Sequence, residues 1–66
     1  MRVVIYYTTL VCDNNFHDAE YETNITFDID TEDEIDAKKK AIKRLKTMED
    51  KKEVFVFKIN KVEVEE

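Results

Sequence analysis

From Arg2 to Cys12 the chain reads Arg, Val, Val, Ile, Tyr, Tyr, Thr, Thr, Leu, Val, Cys, a β-branched and aromatic run with apolar side chains on both alternating sets. Such a strand wants cover on both faces. From Ala19 to Asp30 the pattern changes: Tyr21, Thr23, Ile25, Phe27 and Ile29 alternate with Glu20, Glu22, Asn24, Thr26 and Asp28. This period of two marks a strand with one buried and one wetted face. Between the two runs stand Asp13, Asn14 and Asn15, turn formers whose short side chains bond the local backbone and tolerate left-handed dihedrals. A hairpin loop through Asp18 therefore joins the strands.

Thr31, followed three residues later by Glu34, has the spacing of a capping box, in which hydroxyl and carboxylate each satisfy an orphaned backbone N–H at a helix start. Glu32, Asp33 and Asp36 add negative charge where the helix dipole is positive, together worth about 1 to 2 kcal/mol. The helix is expected to run to about Met48, with Ile35, Ala41, Ile42, Leu45 and Met48 on its inner side and lysines outside. After a charged turn over Glu49 to Lys52, the residues Val54, Phe55, Val56, Phe57 and Ile59 read as a third strand, apolar on both sides. Val62 and Val64 keep the beat of Val54 and Val56 unless a bulge near Asn60 resets it.

The order strand, strand, helix, strand specifies an α+β fold: a ββαβ unit whose three-stranded sheet has order 2-1-3, with one helix packed on one face. The first strand is central, which accounts for its lack of a polar side, while the acidic second strand lies at an edge. On the helix-covered face the alternation places Val3, Ile5, Tyr7, Tyr21, Ile25, Phe27, Ile29, Phe55, Phe57 and Ile59. The opposite face would display Val4, Tyr6, Leu10, Cys12, Val54 and Val56. Monomers seldom leave an apolar patch above about 300 to 600 Å² unused, so this face is expected to bind protein, either a second copy of the chain or another partner. Swapped faces, or a tail folded back over the sheet, would remove that expectation.

Composition narrows the class. Sixty-six residues make one domain, residues 1–66, with one small core, and exclude a multidomain enzyme. A hydrophobic share of 42% with seven aromatic residues is too apolar for a disordered acidic tail. Glycine and proline are absent, leaving no material for a linker. No apolar run approaches the roughly 18 to 20 residues of a membrane span, and no signal-peptide layout opens the chain. A soluble, cytoplasmic protein is expected, and its single cysteine precludes an internal disulfide.

The net charge of −5 hides a strong polarity. Residues 13–36 hold ten carboxylates and no Lys or Arg, whereas residues 37–61 hold ten cations and three carboxylates. Part of this serves the helix, through its dipole and through neighbours such as Glu34 with Lys38 and Asp36 with Lys39 or Lys40. The rest suits a field-guided contact with a charged partner. The acidic edge formed by Glu20, Glu22, Asp28, Asp30, Glu32 and Asp33 could occupy the basic groove of a nucleic-acid enzyme. Two-residue steps of about 6.6 to 7 Å along a strand come close to the phosphate repeat of DNA. The lysine-rich helix, through Lys38, Lys39, Lys40, Lys43, Arg44 and Lys46, supplies the alternative, direct contact with nucleic-acid phosphates. It has one arginine and no interleaved aromatic platform, and the net negative field opposes approach to a polyanion. A solvated helix face accounts for the same residues.

Other chemistries fail on spacing. Asp28, Asp30 and Glu32 occupy positions one, three and five of a calcium loop, but Asp33 stands where a glycine is needed and Lys39 where a bidentate glutamate is needed. Cys12 and His17 flank the hairpin loop without an orienting third group or an oxyanion site. Neither catalysis nor a cofactor is expected.

Nine Lys against two Arg and six Ile against two Leu are what A/T-rich codons produce. In size, charge and codon flavour, over the whole chain, the protein resembles the small acidic early proteins of bacteriophages, including anti-CRISPR inhibitors and other host-takeover factors. The resemblance maps no functional residue. It implies stoichiometric inhibition of a nucleic-acid-processing or defence enzyme.

Overall fold

The computed structural model describes residues 1–12 and 18–65. The turn expected at Asp13, Asn14 and Asn15, the side chains of Cys12 and His17, and Glu66 lie outside the described residues. Strands β1 (Arg2–Cys12) and β2 (Asp18–Asp28) are followed by helix α1 (Glu34–Asp50) and strand β3 (Lys58–Glu65). The sheet has order β2-β1-β3, with β1 antiparallel to both neighbours, the α+β arrangement expected from the pattern.

Val3, Ile5, Tyr7 and Ile29 meet Ala37, Ala41 and Leu45 of α1 in the core, where Val3, Ile5, Ala37 and Ala41 are fully buried. Two alanines at the contact let the helix backbone approach the sheet closely. The sheet outruns its helix: eleven residues of β1 span about 36 Å, and seventeen of α1 about 25 Å, at the usual rises per residue. The molecule is accordingly elongated, 47 × 21 × 13 Å. Tyr21 and Val11, on the helix-side face but towards the hairpin end, stay 55% and 48% exposed. Tyr21 was expected under the helix; α1 is too short to reach it.

The capping box does not form. Asp33 is the N-cap, its Oδ1 accepting from the Ile35 N–H at 3.0 Å, while Thr31 Oγ1 accepts from the Asp33 N–H at 3.2 Å. Two nested side-chain turns thus deliver the chain to the helix, which begins at Glu34 and ends two residues beyond Met48. Ile35, read as an inner residue, is 66% exposed, because the inward stripe runs through Ala37, Ala41 and Leu45.

The third strand begins at Lys58 rather than Val54. After the C-cap at Lys51, Lys52 adopts a left-handed φ of 61°. Residues 53–57 then pass beside the helix end, with Glu53 N–H donating to Met48 O and Val56 N–H to Glu49 Oε2. In this connection Val54 and Val56 turn inward onto the core, while Phe55 and Phe57 face outward, 56% and 51% exposed. Both pairs reverse the expected assignment, because the turn at Lys52 sets the phase of the segment and the strand does not. Within β3 the pairing slips between Tyr6–Lys61 and Tyr7–Ile59, so Asn60 is the bulge, and Val62 and Val64 pack on the core.

Candidate docking surface

The face of the sheet away from α1 follows from the register. Its rows are Asp28, Arg2 and Glu65; Thr26, Val4 and Glu63; Asn24, Tyr6 and Lys61; Glu22, Thr8 and Lys58; and Glu20 beside Leu10. It is polar on both flanks with a narrow apolar spine, not the broad apolar surface that the alternation of β1 suggested. Val4 is only 6% exposed between its neighbours, Tyr6 and Leu10 are half-buried, and Val54 and Val56 lie on the other side of the sheet. Of the expected apolar docking residues, Val4, Tyr6 and Leu10 share this face; the polar flanks come from β2 and β3, which a reading of β1 alone could not include.

Polar contacts tie the spine down. Thr8 is 3% exposed and its hydroxyl accepts from Asn60 Nδ2 at 2.8 Å. Tyr6 Oη donates to Glu63 Oε2 at 3.3 Å, and the other oxygen of Glu63 pairs with Lys61 Nζ. The Glu63 charge holds the Tyr6 phenol above its ordinary range. The Lys61 hydrogen bond lowers the Glu63 carboxyl, and the same bond raises the Lys61 ammonium. The three form one network across β1 and β3 that sequence reasoning did not find; the signal was the i, i+2 spacing of Lys61 and Glu63 on one face of a strand.

The acidic edge divides into separate roles. Glu20 and Glu22 project from β2 onto the open face and are exposed. Asp28 pairs with Arg2 at 3.5 Å, Asp33 is committed to the helix cap, and Asp30 and Glu32 lie exposed on the turn into α1. With Met1, Arg2, Ile29 and Glu65, Asp28 and Asp30 line an open hollow of about 470 Å³ at this end of the sheet. Among the described residues no three His, Cys, Asp or Glu side chains gather as a metal site.

The basic helix is partly consumed by the chain itself. Lys38 pairs with Glu34 at 3.7 Å and Lys40 with Asp36 at 3.0 Å, the latter lowering the Asp36 carboxyl through its hydrogen bond to Lys40. Arg44 Nη1 donates to the Asp28 carbonyl at 3.2 Å. Lys39, Lys43 and Lys46, three and four residues apart, remain on one exposed face.

The strand edges differ. Met1 and Ile29 exchange two backbone hydrogen bonds of 2.7 Å. By the antiparallel alternation, the odd-numbered residues of β2 face β1, and Glu20, Glu22, Asn24 and Thr26 direct their backbone N–H and C=O groups to the outer edge. Edge β3 carries a bulge and two lysines, whereas β2 runs eleven residues without bulge, proline or cation. No family model, no curated protein and no solved structure matches the chain.

Proposed function

We propose that this protein acts in the cytoplasm by stoichiometric binding to a protein, through the acidic flank of β2, as a phage-type inhibitor of a nucleic-acid-processing or defence enzyme. The observation that carries this reading is the one-sidedness of β2: Glu20 and Glu22 stand exposed on one face, a phosphate-like step apart, with no cation on their own strand. A basic groove built for a nucleic-acid backbone is the complementary surface. Affinity capture at low salt tests it. The expected result is a nucleic-acid-processing enzyme that is retained, released by salt and lost on the double change Glu20→Lys/Glu22→Lys, with its activity titrating to an end point at one equivalent. Retention of the enzyme by the charge-reversed protein, or titration without such an end point, refutes it.

The exposed face of Lys39, Lys43 and Lys46 favours a second reading, an accessory protein that touches nucleic-acid phosphates. A mobility shift at micromolar protein and low salt that disappears when these lysines are changed to glutamine would establish it; no shift ends it.

A further inference from the structure

We propose that the outer edge of β2 is a strand-addition site, whose occupant is an extended segment of a protein partner that alternates basic and apolar residues. The inference rests on the protein-binding reading above and specifies its mode. An open sheet edge presents unpaired backbone groups that template another strand, and proteins blunt such edges with charged side chains, lysine above all, with proline, with bulges or with brevity. In this molecule β3 carries lysines and a bulge, whereas β2 is guarded by carboxylates alone, which repel an acidic strand and attract a basic one. Among the described residues nothing pairs with the outward backbone groups of Glu20, Glu22, Asn24 and Thr26.

The flanking side chains define the occupant. Helix α1 packs over β1 and β3, so the helix-side face of β2 is half open: Tyr21 is exposed, and Ile25 and Phe27 are half-buried beside it. A strand laid against β2 would place one set of side chains next to Tyr21, Ile25 and Phe27 and the alternate set next to Glu20 and Glu22. The first set is therefore apolar and the second basic. Charge also decides against a second copy of this chain. Two β2 strands side by side would bring Glu20, Glu22 and Asp28 of each and no cation into adjacent rows, and centred on Asn24 they would set Glu20 of each copy opposite Asp28 of the other.

The test uses the full chain, isotope-labelled, with three eight-residue peptides: alternating lysine and valine, the same peptide with alternate backbone nitrogens methylated, and alternating glutamate and valine. The first is expected to bind and to slow hydrogen exchange at the amides of Glu20, Glu22, Asn24 and Thr26, while those of Tyr21, Thr23, Ile25 and Phe27 are protected already. Asn24→Pro removes one outward N–H at a position where an edge strand tolerates proline, and should abolish that protection. Glu20→Lys/Glu22→Lys should weaken binding roughly tenfold at low salt, by turning two opposite-charge cross-strand pairs into like-charge pairs. Equal binding by the methylated peptide, which leaves the protein's own fold untouched, overturns the proposal. So does unchanged exchange at the four even-numbered amides, or a dimer by sedimentation that Asn24→Pro dissolves. If a captured enzyme is lost with the charge reversal but kept with Asn24→Pro, strand addition is wrong and the binding reading survives; if neither change affects capture, both fall.

Discussion

Truncating two aliphatic side chains in the same helix separates burial from hydrophobicity as the source of stability. Leu45 is 1% exposed, in a cluster with Val3, Ile5 and Tyr7, whereas Ile35, ten residues earlier, is 66% exposed. Leu45→Ala removes buried methyl groups and leaves a cavity that the close-packed surroundings cannot fill, at a cost of about 2 to 5 kcal/mol. A domain of this size has an unfolding entropy near 0.14 kcal/mol/K by the usual per-residue value, so a loss of about 3 kcal/mol lowers Tm by roughly 20 °C. Small single-core domains rarely hold more than about 3 to 5 kcal/mol, and the variant should be substantially unfolded at 25 °C. Ile35→Ala gives up little buried surface and gains slightly in helix propensity, so its effect should stay within about 0.5 kcal/mol. Urea and thermal melts followed by far-UV circular dichroism measure both. A cost above 2 kcal/mol for Ile35→Ala, or below 1 kcal/mol for Leu45→Ala, would refute the placement of the inward stripe on Ala37, Ala41 and Leu45.

Asp33→Ala removes the N-cap acceptor and should cost about 1 kcal/mol, with Thr31→Ala costing less; equal costs in urea melts would point back to a capping box at Thr31. Lys52 holds a left-handed φ of 61°, so Lys52→Gly should stabilise the fold by about 0.5 to 1 kcal/mol despite glycine's extra freedom in the unfolded chain; a destabilised variant would contradict that geometry. The Glu63 and Asp36 carboxyls lie below their ordinary values in the fold. Their contribution is complete above the unfolded carboxylate range and lost as pH falls through the folded values, so melts should show stability declining in acid, less so in Glu63→Gln. Tyr6 and Lys61 are raised, and their contribution is present below the unfolded values and lost as pH climbs through the folded ones. Ultraviolet titration should find Tyr6 ionising late in the native protein and earlier in Glu63→Gln; a Tyr6 titration unmoved by that change would contradict the network.

What was legible in the chain is what nearest neighbours decide. Alternation in Tyr21, Thr23, Ile25 and Phe27 marks β2, the β-branched and aromatic run of Arg2 to Cys12, apolar on both alternating sets, marks a central strand, and the ion pairs of Glu34 with Lys38 and Asp36 with Lys40 follow from helical spacing. The candidate site was legible only in part. Glu20 and Glu22 do share one exposed face, but Asp33 and Asp28 proved to have structural partners that a linear charge count cannot assign. The pattern Val54 to Ile59 satisfies a strand as well as an extended connection, and local periodicity cannot tell them apart.

Element order, strand alternation and charge polarity are properties of the sequence alone, because side-chain period and backbone propensity act over a few residues. The phase of residues 54–57, the start of β3, the bulge at Asn60 and the polar dressing of the open face were decided by tertiary structure. Each depends on where a helix shorter than its sheet comes to rest, and on which residues two distant strands set beside β1. Burial is a property of that assembled neighbourhood, so Val4 is hidden and Ile35 wet although their side chains are similarly apolar.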